Sequence, residues 1–242
     1  MASGIVDVEA EVVRTVESLD LDELRAAWLE RNEFAILEHC LSAALVARLR
    51  EDAEAVRSDV HRVRLPGYKK SGSVDAFTLA ERAPGITALY RSPALLDLLR
   101  RLTGRTLVCC PARDPHAQAL YFYTEPGDHV GAHRDVSHYR GRRYTVLVGI
   151  IERSTSVLVC RVAGRDAGEI RIATDPGTMV VFDGDTLWHR VTPLGAGEER
   201  VTLSLTYVTD GRMGLARRVV SDVKDAVAYF GFGAVFARRR YS

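Results

Sequence analysis

The sequence is poor in cysteine, and none of its four cysteines (Cys40, Cys109, Cys110 and Cys160) forms a CxxC pair. A structural zinc site is therefore not expected, and the adjacent Cys109 and Cys110 are interpreted as small buried residues. The chain also lacks a run of the roughly 20 apolar residues that a membrane span requires. Its first residues, MASGIVDVEAEVV, contain no signal-peptide core. We therefore expect no membrane partner and a location in the reducing cytoplasm.

The sequence has little excess charge of either sign, with a formal net charge of +1 over 242 residues. This balance does not favour a nucleic-acid partner bound by a broad positive field, although it is compatible with a local basic patch. Internal repeats and low-complexity linkers are absent as well. The length suits a single domain covering residues 1–242, and nothing in the sequence indicates an oligomeric state.

Helical patterns dominate residues 1–117, which we expect to form a support and a substrate-side segment. Asp20, Ser42 and Ser92 each precede an amphipathic run, as helix N-caps do. Pro93 follows Ser92 at the first helical position, and Gly104 stands at the end of that run. These signals predict three helices before residue 105.

Residues 61–84 lack any clear periodicity and contain glycine, proline, serine and lysine. We interpret them as a long irregular segment, a feature that is often functional in compact domains. The segment is basic, and its cations could bind a substrate carboxylate or form a solvated loop: Arg62, Arg64, Lys69 and Lys70.

From residue 119 the pattern changes to short β-type runs separated by turn residues, which predicts a sandwich, a jelly roll or a small barrel. We therefore expect a mainly β fold with flanking helices, with its β core at 118–208 and a C-terminal helix within 209–242, at 215–231. The eight predicted strands are 119–123, 130–135, 144–151, 156–162, 169–174, 178–183, 187–191 and 200–208.

Two of these runs contain metal-ligand residue types. His133 and Asp135 are two residues apart, so on a strand both side chains point to one face, and His189 lies in a predicted strand 54 residues beyond Asp135. Two imidazoles and one carboxylate on one side of a metal form the facial triad of non-haem Fe(II) oxygenases. An HxD sequence alone is weak evidence for a metal site, so the assignment depends on the surrounding residues.

Arg200 follows His189 by eleven residues and shares a strand face with Thr202. A guanidinium binds a carboxylate through two parallel hydrogen bonds, and a neighbouring hydroxyl adds a third. A dicarboxylate cosubstrate that chelates iron through its other end requires such a site. The alternative is a surface ion pair of Arg200 with Glu198 or Glu199.

Tyr123 lies ten residues before His133, and Tyr121 projects from the same face of its strand. Either hydroxyl could reach an inner pocket. A buried tyrosine usually needs a hydrogen-bond partner, and a cosubstrate carboxylate would provide one.

Together these residues resemble the prolyl-4-hydroxylase-like branch of the Fe(II)/2-oxoglutarate dioxygenase superfamily. The matching text is Y-x-E-P-G-x(5)-H-x-D at 123–135, PGTMVVFDG at 176–184, WHRVTPL at 188–194 and R-x-T at 200–202. The resemblance covers roughly residues 118–208. It implies a double-stranded β-helix, with Fe(II) as the metal and 2-oxoglutarate and O₂ as cosubstrates.

The resemblance also implies a role for each matching residue. His133, Asp135 and His189 correspond to the iron ligands, and Arg200 to the partner of the distal 2-oxoglutarate carboxylate. The supporting cosubstrate contacts are Thr202 and Tyr123, with Tyr121 as a further candidate. Related halogenases carry glycine or alanine where this chain has Asp135, so hydroxylation is the expected reaction, with desaturation, epoxidation or ring formation as variants.

The sequence contains less information about the substrate. A compact chain without an added binding domain favours a small polar metabolite, such as a free or carrier-bound amino acid. His138 and Tyr139 are expected either near the mouth of the barrel or in ordinary packing or a turn hydrogen bond. Ser204 and Thr206 are expected on the inner face of the barrel, and Trp188 in the core. The alternative enzyme hypothesis is a hydroxylase that acts on a peptidyl or protein residue. Nucleic-acid demethylation is disfavoured because RVTLSLTYV lacks a second arginine after Arg200.

Two alternatives belong to other classes. A non-catalytic β-helix binding module would not need an intact metal triad with a carboxylate-binding arginine. A metal-dependent cupin isomerase or hydrolase would retain a jelly roll and a metal, but would not need Arg200.

Overall fold

The computed structural model describes residues 6–135, 139–163 and 168–212. Most of the helices precede the main run of strands. The helices are α1 (Val8–Glu17), α2 (Leu21–Glu30), α3 (Ala43–Ala55), α4 (Ala76–Arg82), α5 (Pro84–Arg91) and α6 (Pro93–Thr103). The strands are β1 (Phe34–Leu37), β2 (His61–Leu65), β3 (Lys69–Val74), β4 (Val108–Cys109), β5 (Gln118–Tyr123), β6 (His129–His133), β7 (Arg143–Arg153), β8 (Leu158–Val162), β9 (Gly168–Ile172), β10 (Met179–Asp183), β11 (Trp188–Val191) and β12 (Glu199–Val208).

The predicted helix termini are confirmed by their hydrogen bonds. The Ser42 hydroxyl accepts from the backbone N–H of Leu45 at 3.1 Å, and the Ser92 hydroxyl does the same for Leu95. Helix α6 ends at Gly104, whose φ of 67° is in the left-handed region that favours glycine.

The strands form one antiparallel sheet in the order β1-β10-β7-β12-β5-β3-β6-β11-β8-β9, with β2 paired to β3 and β4 to β12. The sheet folds over itself, because residues from its two ends belong to one buried apolar cluster. Phe34 and Phe182 from β1 and β10 share this cluster with Leu158 and Cys160 from β8. The expected mainly β, double-stranded β-helix fold with flanking helices is confirmed.

Strand β12 has two chemically distinct faces. Its apolar residues, including Val201, Leu203 and Leu205, belong to the large core cluster, to which apolar side chains of the helices also belong. The alternate positions on this strand are polar and equally buried: Arg200, Thr202, Ser204 and Thr206. Because side chains alternate along a strand, these four face the interior of the folded sheet. The fold thus encloses a polar interior opposite its helix-covered core.

The prediction of an irregular segment at 61–84 is wrong. Residues 61–74 form the β2–β3 hairpin, and α4 follows it, capped by Asp75. The alternating buried positions of β3 carry Lys69, Ser71 and Ser73 rather than apolar residues. These side chains line the same polar interior as those of β12. The sequence of β3 therefore lacks the apolar alternation by which a strand is recognised.

The predicted C-terminal helix at 215–231 lies outside the described residues. The one-domain division at 1–117, 118–208 and 209–242 also stays a prediction. Within the part of the chain that is described, no helix is long and apolar enough to cross a membrane.

Candidate active site

His133, Asp135 and His189 converge although they come from distant parts of the sequence. One ligand atom from each lies within 4.8 Å of the others. The Nε2 atoms of His133 and His189 are 3.5 and 3.9 Å from Oδ1 of Asp135. Strand β11 pairs with β6 so that His189 lies opposite His133, and this register brings the two imidazoles together. Three ligand atoms at this spacing could hold one metal ion.

The second nitrogen of each histidine lies near a backbone carbonyl oxygen. Nδ1 of His133 is 2.9 Å from the oxygen of Gly131, and Nδ1 of His189 is 3.3 Å from that of Leu187. In this arrangement Nδ1–H donates to the carbonyl, so Nε2 keeps a lone pair. Such outer contacts fix the tautomer and the ring orientation of metal-binding histidines.

Asp135 follows the end of β6 instead of lying on the strand as predicted. The Thr145 hydroxyl donates to Asp135 Oδ2 at 2.8 Å and holds the side chain toward the histidines. Burial alone would raise the pKa of Asp135, but nearby Arg143 and His189 hold it well below its ordinary value. Asp135 is therefore a carboxylate at neutral pH, as a metal ligand must be.

Burial lowers the pKa of His189 to about 4, and the attraction of Asp135 only partly opposes this effect. His189 is consequently neutral at physiological pH. A neutral imidazole is the form that binds a metal ion.

Arg200 is 1% exposed and lies directly opposite Tyr123 in the pairing of β12 with β5. It does not pair with Glu198 or Glu199, which excludes the surface ion pair considered above. Its Nη1 donates to the Ser156 carbonyl at 2.9 Å, and its Nη2 donates to the Thr174 hydroxyl at 2.6 Å.

Two buried polar atoms on this face of β12 have no hydrogen-bond partner among the described residues. They are Nε of Arg200 and the hydroxyl oxygen of Thr202. Tyr121 lies opposite Thr202, as Tyr123 lies opposite Arg200. A buried donor without a partner is costly, so this combination is suited to an anionic ligand that enters the interior.

The sequence matches no protein-family model and no curated protein. The fold, however, is shared with solved structures. The epimerase SnoN, solved in complex with Fe³⁺, α-ketoglutarate and nogalamycin RO, has a TM-score of 0.64 and 14% identity over 81% of this chain and 88% of its own. A prolyl hydroxylase from Trichoplax adhaerens, in complex with a hypoxia inducible factor peptide fragment, has a TM-score of 0.64 and 14% identity over 86% and 94%. EctD from S. alaskensis, with 2-oxoglutarate and 5-hydroxyectoine, has a TM-score of 0.59 and 18% identity over 77% and 75%.

The chain has the fold of the 2-oxoglutarate- and iron(II)-dependent oxygenases.

Within this oxygenase fold, the basic residues of the β2–β3 hairpin have separate environments. Arg62 forms a bidentate pair with Asp128 at 2.6 and 2.9 Å, and Lys70 donates to the Pro126 carbonyl at 2.8 Å. Lys69 is 1% exposed, with its Nζ 5.0 Å from the centre of the Tyr121 ring. Of the two alternatives for these cations, the solvated loop is therefore excluded for Lys69, and binding of a substrate carboxylate stays a prediction.

The expectation that Trp188 packs in the core is also wrong. Trp188 is 45% exposed, and the Arg134 guanidinium lies 5.2 Å from the centre of its ring. Trp188 is next to His189 on β11, so its side chain must point to the outer face when His189 points inward. Tyr139 is buried and donates to Asp114 at 2.6 Å, whereas His138 lies outside the described residues.

Sequence analysis missed three residues of this oxygenase fold that contact the candidate site. They are Thr145, which holds Asp135; Arg143, which donates to the Thr206 hydroxyl at 3.0 Å; and Glu152, whose Oε2 lies 3.0 Å from Nη1 of Arg200. All three lie on β7. Thr145 interrupts an apolar run, and this was the only signal of its role.

Proposed function

We propose that this chain is an Fe(II)- and 2-oxoglutarate-dependent oxygenase that hydroxylates an unactivated C–H bond of a small polar metabolite. A free or carrier-bound amino acid is the substrate class that we favour. The single observation that carries the proposal is the position of the three ligand atoms within 4.8 Å, inside a fold shared with such enzymes.

The donor set fits iron(II). Two neutral imidazoles and one carboxylate are the ligand combination of the facial triad, which leaves metal positions for other ligands. Bound iron and 2-oxoglutarate would together supply the O₂ activation needed to oxidise a C–H bond. The contacts that Gly131, Leu187 and Thr145 make with the three ligands hold them in place before metal binds.

The polar face of β12 fits 2-oxoglutarate. Nε of Arg200 and the hydroxyl of Thr202 are the donors that a distal carboxylate would satisfy, and Tyr123 lies beside Arg200. Tyr121 is the further candidate contact. In this assignment His133, Asp135 and His189 bind the metal, while Arg200 orients the cosubstrate.

Other residues of the interior support a polar substrate. Ser204 on β12 and Ser71 on β3 are buried, and the Ser71 hydroxyl has no hydrogen-bond partner within the described ranges. Similarity to EctD and SnoN, solved with 5-hydroxyectoine and nogalamycin RO respectively, also favours a small molecule. The T. adhaerens enzyme was solved with a peptide, so a peptidyl residue is the alternative substrate.

The proposed reaction is tested by supplying Fe(II), 2-oxoglutarate and ¹⁸O₂ with a panel of amino acids and their carrier-bound forms. We expect one labelled oxygen in succinate and a second in any hydroxylated product. Peptides in a parallel panel test the alternative substrate class. Succinate without label would contradict an oxygenase mechanism.

The same assay with excess chloride tests the role of Asp135. A carboxylate ligand occupies the metal position that a halide would need, so the product should be heavier by one oxygen or lighter by two hydrogens. A chlorinated product from the native protein would contradict the hydroxylase assignment. Asp135→Gly should mainly lose iron and activity, because a halide site also needs donors around it.

A further inference from the structure

The guanidinium of Arg200 already has a protein carboxylate beside it. Oε2 of Glu152 lies 3.0 Å from Nη1, and the two side chains are only 5% and 2% exposed. This is a buried ion pair on the same guanidinium that is expected to bind the distal carboxylate of 2-oxoglutarate through Nε. The proposed cosubstrate anchor is thus partly neutralised before any ligand arrives.

Glu152 is held in this position by its surroundings. It lies opposite Arg200 in the pairing of β7 with β12, and the hydroxyl of Ser154 donates to its Oε1 at 2.5 Å. Its Oε2, which faces Arg200, accepts no hydrogen bond in the part of the chain that is described. The contact therefore depends on charge and on the strand register.

Arg200 does not depend on Glu152 alone for its orientation. The Ser156 carbonyl and the Thr174 hydroxyl accept from its Nη1 and Nη2 independently of that carboxylate. Removing the charge of Glu152 while keeping its shape should therefore leave the guanidinium in place. The two effects of Glu152, orientation and charge, can be separated by experiment.

We propose that Glu152 acts through the charge it places beside Arg200 and so determines how strongly the protein prefers a 2-oxo acid with a second carboxylate. This inference rests on the proposed 2-oxoglutarate dependence. A second carboxylate that binds Arg200 is repelled by Glu152 in an interior of low dielectric. A 2-oxo acid whose distal end is uncharged is not repelled by Glu152. Glu152 thus weakens the binding of the dianion and lowers the selectivity that Arg200 alone would give.

The test compares 2-oxoglutarate with 2-oxovalerate, in which a methyl group replaces the distal carboxylate. Both are titrated into Mn(II)-loaded full-length protein by isothermal calorimetry. In Glu152→Gln we expect 2-oxoglutarate to bind about 10- to 100-fold more tightly, because two like charges about 6–12 Å apart repel each other by that much at an effective dielectric constant of about 20. Binding of 2-oxovalerate should change by less than about threefold, because its uncharged tail has no Coulomb interaction with Glu152 to lose.

The matched control is Glu199→Gln. Glu199 is next to Arg200 on the same strand, but it pairs with Arg57, and Glu199→Gln should leave the ratio of the two dissociation constants unchanged. Glu152→Asp keeps the charge and should also keep the ratio close to that of the native protein. Circular dichroism and Mn(II) affinity show whether each variant is folded.

Unchanged or weaker 2-oxoglutarate binding in folded Glu152→Gln would overturn the proposal. An equal change for both ligands would do the same, because it would indicate a purely structural role. If Glu152→Gln does not fold, the ratio of the two dissociation constants in the native protein tests the proposal. A native preference for 2-oxoglutarate below about 30-fold supports the proposal, since one charge-assisted buried pair is ordinarily worth more. A preference above that value contradicts it, because Arg200 would then give its ordinary selectivity with Glu152 present. Failure of the native protein to bind either ligand would instead count against the proposed function.

Discussion

At the scale of single residues, the candidate site depends on polar groups held by neighbours that are not themselves ligands. Backbone carbonyls orient His133 and His189, and Thr145 orients Asp135. The residue types of the site were predictable, because HxD, a distant histidine and R-x-T are visible in the sequence. The neighbours Thr145 and Glu152 were not, because strand register determines which residues of β7 lie opposite β12.

Arg200→Ala should weaken 2-oxoglutarate binding by tens to thousands of fold while sparing the metal. Loss of one partner from a buried charge-assisted pair typically costs about 2–5 kcal/mol. Arg200→Lys should recover only part of the affinity, since an ammonium cannot form two parallel bonds. Calorimetry measures the ligand, and Mn(II) electron paramagnetic resonance measures the metal.

Arg200→Ala also leaves Glu152 buried without its counter-charge, which should destabilise the fold. The double variant Arg200→Gln with Glu152→Gln removes both charges and should recover stability without recovering 2-oxoglutarate affinity. If Arg200→Ala retains 2-oxoglutarate binding within about twofold, Arg200 is not the anchor.

The metal-free protein should lose stability as the pH falls from about 6.5 to about 4. The pKa of His189 is lowered from 6.5 to about 4 in the folded chain, so in this window the unfolded chain binds a proton that the folded chain does not. The contribution is roughly 2–3 kcal/mol at pH 4.5. Urea unfolding of native protein and His189→Gln at pH 7 and pH 4.5 measures it.

Other groups titrate in the same range, so the difference between the two proteins is the relevant quantity. His189→Gln should lose less stability than the native protein on acidification, whereas His61→Gln, at an exposed position, should behave like the native protein. Equal losses in His189→Gln and the native protein would contradict the argument.

At the scale of secondary-structure elements, predictability followed the apolar alternation. All eight strands predicted after residue 118 correspond to β5–β12, because each has apolar residues on at least one face. The β2–β3 hairpin was missed because Lys69, Ser71 and Ser73 occupy the buried positions of β3. Local propensity cannot distinguish a strand with a polar inner face from a loop, since only the folded sheet provides the polar interior.

Helix α5 has an N-terminus that its own sequence does not cap. Ala83 at the N-cap offers no side-chain acceptor, and Oδ2 of Asp52 on α3 accepts from the Ile86 N–H at 2.8 Å instead. Asp52→Ala should therefore destabilise the fold by roughly 2–4 kcal/mol, because a buried donor loses a charged acceptor.

Chemical denaturation measures this cost. The control is Glu51→Ala on the same helix, where the side chain is 65% exposed and the change should stay within about 0.5 kcal/mol. A loss below about 1 kcal/mol for Asp52→Ala would show that Asp52 does not cap α5.

At the scale of the whole molecule, the folded sheet brings two of its regions together around the polar interior: β6 with β11, and β12. His133 and His189 lie on β6 and β11, whereas Arg200 lies on β12, on the other side of β5 and β3 in the strand order. Since the sheet folds over itself, one ligand could contact both regions. The order of the strands in the sheet could not be predicted from the sequence, because pairing partners are set by long-range register.

A ligand that contacts both regions should stabilise the entire fold. At 100 times its dissociation constant, 2-oxoglutarate should add about 2.7 kcal/mol to the stability of the Mn(II)-loaded protein. Without metal, the added stability should fall sharply because one of the two contacts is missing. Thermal unfolding with and without chelator measures the difference, and an equal shift in both conditions would contradict simultaneous binding to both regions.

We propose that His133, Asp135 and His189 bind Fe(II) in a site that 2-oxoglutarate completes. Anaerobic titration of the Fe(II)-loaded protein with 2-oxoglutarate, followed by visible absorption, tests it most directly. We predict a weak charge-transfer band in the native protein and in His129→Ala, a neighbouring histidine outside the triad, and no band in His189→Ala. An unchanged band in His189→Ala, or none in the native protein, would contradict the account.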